Sequence, residues 1–291
     1  MTVFNGERFL REAIESCLAQ TYANLELIII DDGSTDSSLD IINSFKDDRI
    51  VFLINESNKG QSYSRNRGIK ESSGEYIAIM DADDVMYPNR LQKQLKILQM
   101  QNNTICFSWA DIIDEIGEWV KLKKHISDGV LIYAKLIFEC PLIHPTAMWN
   151  KEAFINKNLW YDETYVYAQD MELWNRVKEY YSIVIIEEPL IKFRFGNSNS
   201  VSVGKKEEQM KFAEKVTNRE LRQLGYMGSN PIDSKILIAR IWNTLLIYKL
   251  FKEKNMVNDT TKNYLRDLLF PIGNICIPYR LTKLIKRLLV N

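Results

Sequence analysis

Apolar and polar positions alternate with two different periods along the first part of the chain. Apolar runs at 25–30, 50–54, 75–80 and 104–113 read as buried strands. Between them, 36–46, 60–72 and 88–101 carry apolar residues at helical spacing. Ahead of the first run, Phe9, Leu10, Ala13, Ile14, Cys17 and Leu18 predict a helix over 5–21 with Asn5 as its cap. Pro88 suits the first turn of its helix, and Gly60 and Gly74 punctuate helix ends. Strand and helix in regular succession predict an α/β fold, a doubly wound, mostly parallel sheet with right-handed crossovers. Past residue 114 the alternation loosens to one clear helix at 169–178 and apolar strands at 183–186 and 190–195. A polar loop bounded by Gly196 and Gly204 follows and reads as mobile. Helical patterns at 205–224, 232–253, 259–270 and 279–289 then predict a domain over 1–204 and a C-terminal helical extension over 205–291.

Two of the apolar runs end in acids. The first leads into Asp31-Asp32-Gly33-Ser34 and the third into Asp81-Ala82-Asp83-Asp84. Ligands of open α/β sheets bind outside the carboxyl ends of the strands, so both clusters are expected at one pocket edge. Crowded carboxylates there call for cations or donors, which suggests a divalent metal and a phosphate-bearing ligand. Asp31 and Asp32 read either as turn chemistry or as acceptors for the imide N–H of a uracil or for a ribose. Asp81 and Asp83, two residues apart at a strand end, can face one ligand, and their hard oxygens suit Mn²⁺ or Mg²⁺. The competing reading is a solvated turn capping the helix at 88. Between the clusters a helix starting near Gly60 aims N–H groups at an anion; Arg65, about one turn on, reaches a phosphate, braces the acids or is an ordinary surface arginine.

Composition narrows the partners. The 291 residues are 46% hydrophobic, enough for a sizeable core, and Lys+Arg and Asp+Glu balance at 38 each, which argues against a nucleic-acid partner. Cys17, Cys106, Cys140 and Cys276 are scattered without metal-ligand spacing and fit buried thiols in a reducing compartment. Neither a secretory leader nor an uncharged run of about 18 residues is evident, and a cytoplasmic location is the expectation.

The order Thr2-Val3-Phe4-Asn5-Gly6, Asp31-Asp32-Gly33-Ser34-Thr35-Asp36, Asn58-Lys59-Gly60 through Arg65-Asn66, and Asp81-Ala82-Asp83-Asp84 with Pro88-Asn89-Arg90-Leu91 resembles the inverting family 2 glycosyltransferases of GT-A fold. The resemblance covers roughly residues 1 to 203 and implies a metal-dependent enzyme moving a sugar from a nucleotide donor, a UDP-sugar, to an acceptor hydroxyl. It implies that Thr2, Phe4, Asp31 and Asp32 hold base and ribose, with Arg65 beside them, that Asp81 contacts ribose, and that Asp83 ligates Mn²⁺ or Mg²⁺. The later acidic motif matches Gln169-Asp170, with Asp170 as general base or, on the bland reading, a helix cap; Gln169 stands where the family usually has Glu. His144 matches a position near metal or acceptor, although a lone His beside apolar residues is commonly structural. Arg194, before the 196–204 loop, matches a segment that closes on the donor diphosphate; its alternative is an edge-strand ion pair. The resemblance and the basic 279–289 helix imply a glycan or lipid-linked acceptor in cell-surface polysaccharide synthesis and peripheral docking on an anionic membrane face, against the alternative of a packed bundle. Family members begin with a full strand of which only Met1 remains here, so either the start lies upstream or the sheet lacks most of a central strand and exposes its ladder groups. Two rivals are a degenerate GT-A binding module at a membrane and a sugar nucleotidyltransferase; the latter needs a glycine-rich basic loop that Val3-Phe4-Asn5-Gly6-Glu7-Arg8 lacks.

Overall fold

A computed structural model of the chain describes residues 1–101, 103–196 and 205–223; the loop over 197–204 and the expected helices at 232–253, 259–270 and 279–289 lie outside them. Strands β1 (Thr2–Val3), β2 (Leu27–Asp31) and β3 (Ile50–Ile54) form a parallel sheet in that order. A second sheet joins β4 (Tyr76–Ala78), β8 (Met148–Asn150), β6 (Thr104–Ile113), β9 (Ser182–Arg194) and β5 (Val85–Met86), with β7 (Trp119–Lys123) hairpinned onto β6. In it β6 and β9 run parallel, while β8 is antiparallel to both β4 and β6. Among the described residues a lone parallel bridge, Thr2 to Asp81, links the two sheets. The helices are α1 (Leu10–Leu18), α2 (Ser38–Ser44), α3 (Gln61–Glu71), α4 (Arg90–Met100), α5 (Gly129–Leu136), α6 (Lys151–Asn156), α7 (Gln169–Val177) and α8 (Lys206–Gln223). The chain divides into a unit over Met1–Ala213 and a second beginning at Glu214.

The apolar periods locate the core. Leu10, Ala13, Ile14 and Cys17 of α1 pack with Val3, Leu27 and Ile29 of the first sheet. Ile105 and Phe107 of β6 pack with Trp149, Leu173, Trp174 and Val177 around the second. Burying a side chain of this kind contributes about 1.5–3 kcal/mol, so these two clusters hold the strand ends in place. At Gly68 on α3 a Cβ would meet Ile30 Cδ1 at 2.8 Å, so this glycine lets α3 lie close against β2.

Two expected elements differ. The first helix is shorter than 5–21 because Asn5 is left-handed, φ 52, and does not cap it. Its N–H donates to Ser34 Oγ at 3.0 Å and its Oδ1 accepts the Thr35 N–H at 2.8 Å, so residues before α1 tie down the loop after β2. Asparagine tolerates that conformation because its short amide bonds locally. The runs at 183–186 and 190–195 are one strand, β9, with Pro189 at an irregularity in its register against β6. Proline lacks the ladder donor, and a bulge accommodates that loss without ending the strand.

Candidate active site

Strand ends bring the acids together as the sequence predicts. Val3 is paired with Asp31, and Thr2 with both Ile30 and Asp81, so β1 lies between the two acidic segments. Asp31 is buried: its Oδ2 accepts the N–H groups of Gly33 and Ser34 at 3.2 and 3.0 Å, while its Oδ1 has no hydrogen-bond partner. Gly33 has φ 78, and a Cβ there would lie 2.8 Å from the Ser57 carbonyl carbon, so the turn requires glycine. Asp32 turns the other way. Its Oδ1 accepts from Asn55 Nδ2 at 2.7 Å and Lys59 N–H at 2.9 Å, and its Oδ2 accepts the Gly60 N–H at 2.9 Å. Asp32 therefore shapes the loop that opens α3, leaving Asp31 as the acid with an unmatched acceptor. Phe4, just past β1, is half exposed.

Arg65 is the hub of the site. It is buried on α3, donates from Nη2 to Asp81 Oδ1 at 3.0 Å, and sits 5.5 Å from the Tyr161 ring centroid. Turning the Gln169 amide to suit its neighbours lets its oxygen accept from Arg65 Nη1 at 3.2 Å, and Gln169 also pairs with Gln61 at the start of α3. Asp170 stands at the N-terminal turn of α7, where its Oδ1 accepts the Met171 N–H at 2.8 Å. Burial pushes the Asp170 carboxyl above the ordinary aspartate range; the Met171 N–H, the Arg65 charge and the Cys140 thiol pull the other way. That environment suits a carboxylate that receives a proton.

The third acidic segment is asymmetric. Asp81 is held by Arg65, Asp83 is half-buried, and Asp84 is buried with its Oδ2 unpartnered. Burial, then the charges of Asp83 and Asp81, raise the Asp84 carboxyl well above its usual value. Arg194 secures this turn: its N–H bonds Asp84 Oδ1 at 2.9 Å, Nε donates to the Asp83 carbonyl at 2.9 Å, Nη1 to the Asp114 carbonyl at 3.1 Å and Nη2 to Glu12 Oε2 at 2.7 Å. Its guanidinium also covers the Phe9 ring at 4.3 Å. Buried on protein partners, Arg194 fits the ion-pair reading and braces the acidic turn; it does not face an open anion site. Among the described residues no three metal-capable side chains converge. A half-buried carboxylate such as Asp83 fits a Mg²⁺ or Mn²⁺ that takes most of its oxygens from a diphosphate and water.

His144 is buried, its Nε2 within 2.9 Å of the Tyr161 hydroxyl and its Nδ1 unpartnered. Burial, helped by the Arg65 charge, holds it well below the ordinary histidine value, so it acts as a neutral packing group against Trp174. His125 is alike: Nδ1 donates to the Pro141 carbonyl at 2.8 Å, Nε2 accepts the Ile143 N–H at 3.3 Å, and burial lowers it to about 4. Both histidines are depressed relative to the unfolded chain, which binds more protons below about pH 6.5, so stability falls as pH drops from there toward 4. An NMR titration of the His125 ring in the folded protein is expected to show it neutral at pH 6 and protonating only near pH 4; a ring that titrates near the ordinary histidine value would contradict the buried neutral assignment.

The family model described as glycosyl transferase family 2 matches residues 1–176. The chain belongs to this family. It is 38% identical over 209 residues to an uncharacterized glycosyltransferase of Methanocaldococcus jannaschii, covering 69% of this chain and 71% of that one. An uncharacterized glycosyltransferase of Haemophilus influenzae is 28% identical over 97% of this chain and 87% of its own length. Some relatives are much longer: at 33% identity this chain spans 28% of one from Rickettsia bellii. Among solved structures, S. aureus TarS 1-349 in complex with UDP-GlcNAc matches with a TM-score of 0.62 at 16% identity, covering 84% of this chain and 70% of that one, which shows a shared fold. The protein is a glycosyltransferase.

Within this glycosyltransferase several site-building residues escape the motif order. Asn55 directly follows β3 and joins Asp32 to Ser64 Oγ, the latter at 2.8 Å, and its place as the first polar residue after an apolar strand is the signal that marks it. Tyr161 and Gln61 carry no such signal. Asn66 fixes the segment around Tyr161, exchanging bonds of 2.9 Å with the Tyr161 N–H and carbonyl.

Proposed function

We propose that this glycosyltransferase takes a sugar from a UDP-sugar and passes it, with inversion, to a hydroxyl of a glycan or lipid-linked saccharide. One observation carries the reading: Arg65 pairs with Asp81 on the nucleotide side and acts electrostatically on Asp170 across the site. The donor class is supported by TarS structures described with UDP-GlcNAc and with UDP.

In this account Asp31 Oδ1 accepts the uracil imide N–H, Phe4 and Thr2 line the base, and Asp81 accepts from the ribose. Asp170 takes the acceptor hydroxyl proton as that oxygen forms a bond to the anomeric carbon and the bond to the diphosphate breaks, releasing UDP from the opposite face. A divalent cation on Asp83 would supply charge stabilisation for the leaving diphosphate. Arg194 and Glu12 keep the Asp83 turn in place. Positioning and fixed charge supply the part of the rate beyond proton transfer. Assembly of surface polysaccharide at an anionic membrane face belongs to the same proposal; the basic segment over 279–289 that would dock there lies outside the described residues, and among those described no helix is long and apolar enough to cross a membrane.

A screen of UDP-, GDP- and dTDP-sugars for nucleotide release in the presence of Mn²⁺ tests the donor class. Release from at least one UDP-sugar is expected. Release confined to GDP- or dTDP-sugars would overturn the UDP assignment.

A further inference from the structure

Among the described residues, those other than glycine with a left-handed backbone are Asn5, Asn103, Asn158 and Ala168. Asparagine tolerates that conformation through its short amide, whereas an alanine methyl crowds the following carbonyl and gains no bond in return. Ala168 stands at the start of α7 with φ 53 and ψ 27, directly before Gln169 and Asp170. A residue in that place usually has an extended backbone and a side-chain oxygen that caps the helix, and Ala168 supplies neither. One position thus carries two local conflicts, which persist only where the surrounding structure imposes them.

The surroundings impose this one. Helix α3 grips the loop ahead of α7: Asn66 exchanges bonds with the Tyr161 N–H and carbonyl, and Ser62 Oγ donates to the Tyr165 carbonyl at 3.3 Å. Phe212 of α8 adds an edge-on ring contact with Tyr165, centroids 5.8 Å apart. Past the turn, Gln169 meets Gln61 and Arg65 of the same α3, and its turned amide donates to the Val166 carbonyl at 3.3 Å. The Glu172 N–H bonds the Ala168 carbonyl at 3.0 Å, so α7 begins at once, and its Leu173 and Trp174 enter the core. An extended residue at 168 would change the angle between loop and helix, and the α3 grip and the α7 packing could not both be kept. We propose that Ala168 is a positioning residue of the transfer reaction: its left-handed turn, narrowed by the methyl group, fixes the direction in which α7 presents Asp170 to the acceptor hydroxyl. Glycine would occupy the turn without strain but over a much wider range of φ and ψ, with a less defined aim. The inference rests on Asp170 as the base.

The test compares Ala168→Gly and Ala168→Asn with the unaltered full chain, in thermal melts and in kinetics on the donor found by the nucleotide-sugar screen, with Asp170→Asn in the same series. Both substitutions at 168 are expected to raise Tm by about 2–4 °C, because both relieve the left-handed alanine. Ala168→Gly is expected to lower kcat at least about tenfold with KM for the donor within about twofold, and Ala168→Asn, which keeps a side chain in the turn, to return kcat to within about threefold of the original. Activity lost while stability is gained is a result that a purely structural residue does not give. Three results would overturn the proposal: a lower Tm in both variants, a glycine variant of higher Tm and full kcat, or an equal loss of kcat in both. Full turnover in Asp170→Asn would remove the base itself and the inference with it, whereas its loss beside any of the three results would overturn the inference alone.

Discussion

Replacing Asp170 with asparagine is expected to lower sugar transfer by about 10²–10⁴-fold, the range a general base contributes, while UDP affinity stays within about twofold. Asp170 is half-buried and its carboxyl lies above the ordinary aspartate range, so a neutral isostere relieves the desolvation that opposes its charge, gives up the attraction of Arg65, and keeps the bond to the Met171 N–H through its carbonyl oxygen. Stability should therefore change little. The same burial sets the pH profile: the base works ionised, so kcat/KM rises with pH through an apparent value displaced upward from that of an exposed aspartate. Arg65→Met should move that limb higher still, since the Arg65 charge favours ionised Asp170. A limb that does not move would remove Arg65 from the account of the base.

A pair of substitutions in adjacent residues should separate nucleotide binding from loop architecture. Asp32→Ala leaves the Lys59 N–H without its carboxylate and strips one acceptor each from Gly60 and Asn55. Bonds to charged acceptors contribute about 1.5–3 kcal/mol, so the loss should total about 3 kcal/mol and lower Tm by about 6–12 °C. Asp31→Asn keeps an oxygen for the Gly33 and Ser34 N–H groups but presents an amide where the unmatched Oδ1 stands. It should cost little in Tm and weaken UDP binding by roughly 10–100-fold. Calorimetry and thermal melts on the two variants check both. Equal UDP affinity in Asp31→Asn and the unaltered chain would remove Asp31 from the base pocket.

The contrast between these neighbours was only half legible in the sequence. Apolar runs of five or six residues ending in acids revealed the strand ends, because buried parallel strands need such runs and ligands gather where they stop. Which acid binds the loop and which lacks a partner depends on Asn55, Lys59 and Gly60, 23 to 28 residues away, and no period encodes that. Arg194 shows the same limit more strongly. Its ion pair with Glu12 spans 182 residues, so a sequence position beside a polar loop read as an anion contact when the fold uses it as a brace. Tyr161 lies in an irregular segment without apolar alternation, and only α3, through Asn66, brings it beside Arg65. The division into two sheets was not legible, because the apolar runs that reveal each strand do not encode which strand it pairs with.

The most direct test of the account is UDP binding by calorimetry to the full 291-residue chain, with Mn²⁺ and again with chelator. Binding that requires the metal, and that weakens at least about tenfold in Asp83→Ala, is the predicted result. No binding by the folded protein under either condition would contradict the nucleotide pocket built on Asp31, Asp81 and Asp83.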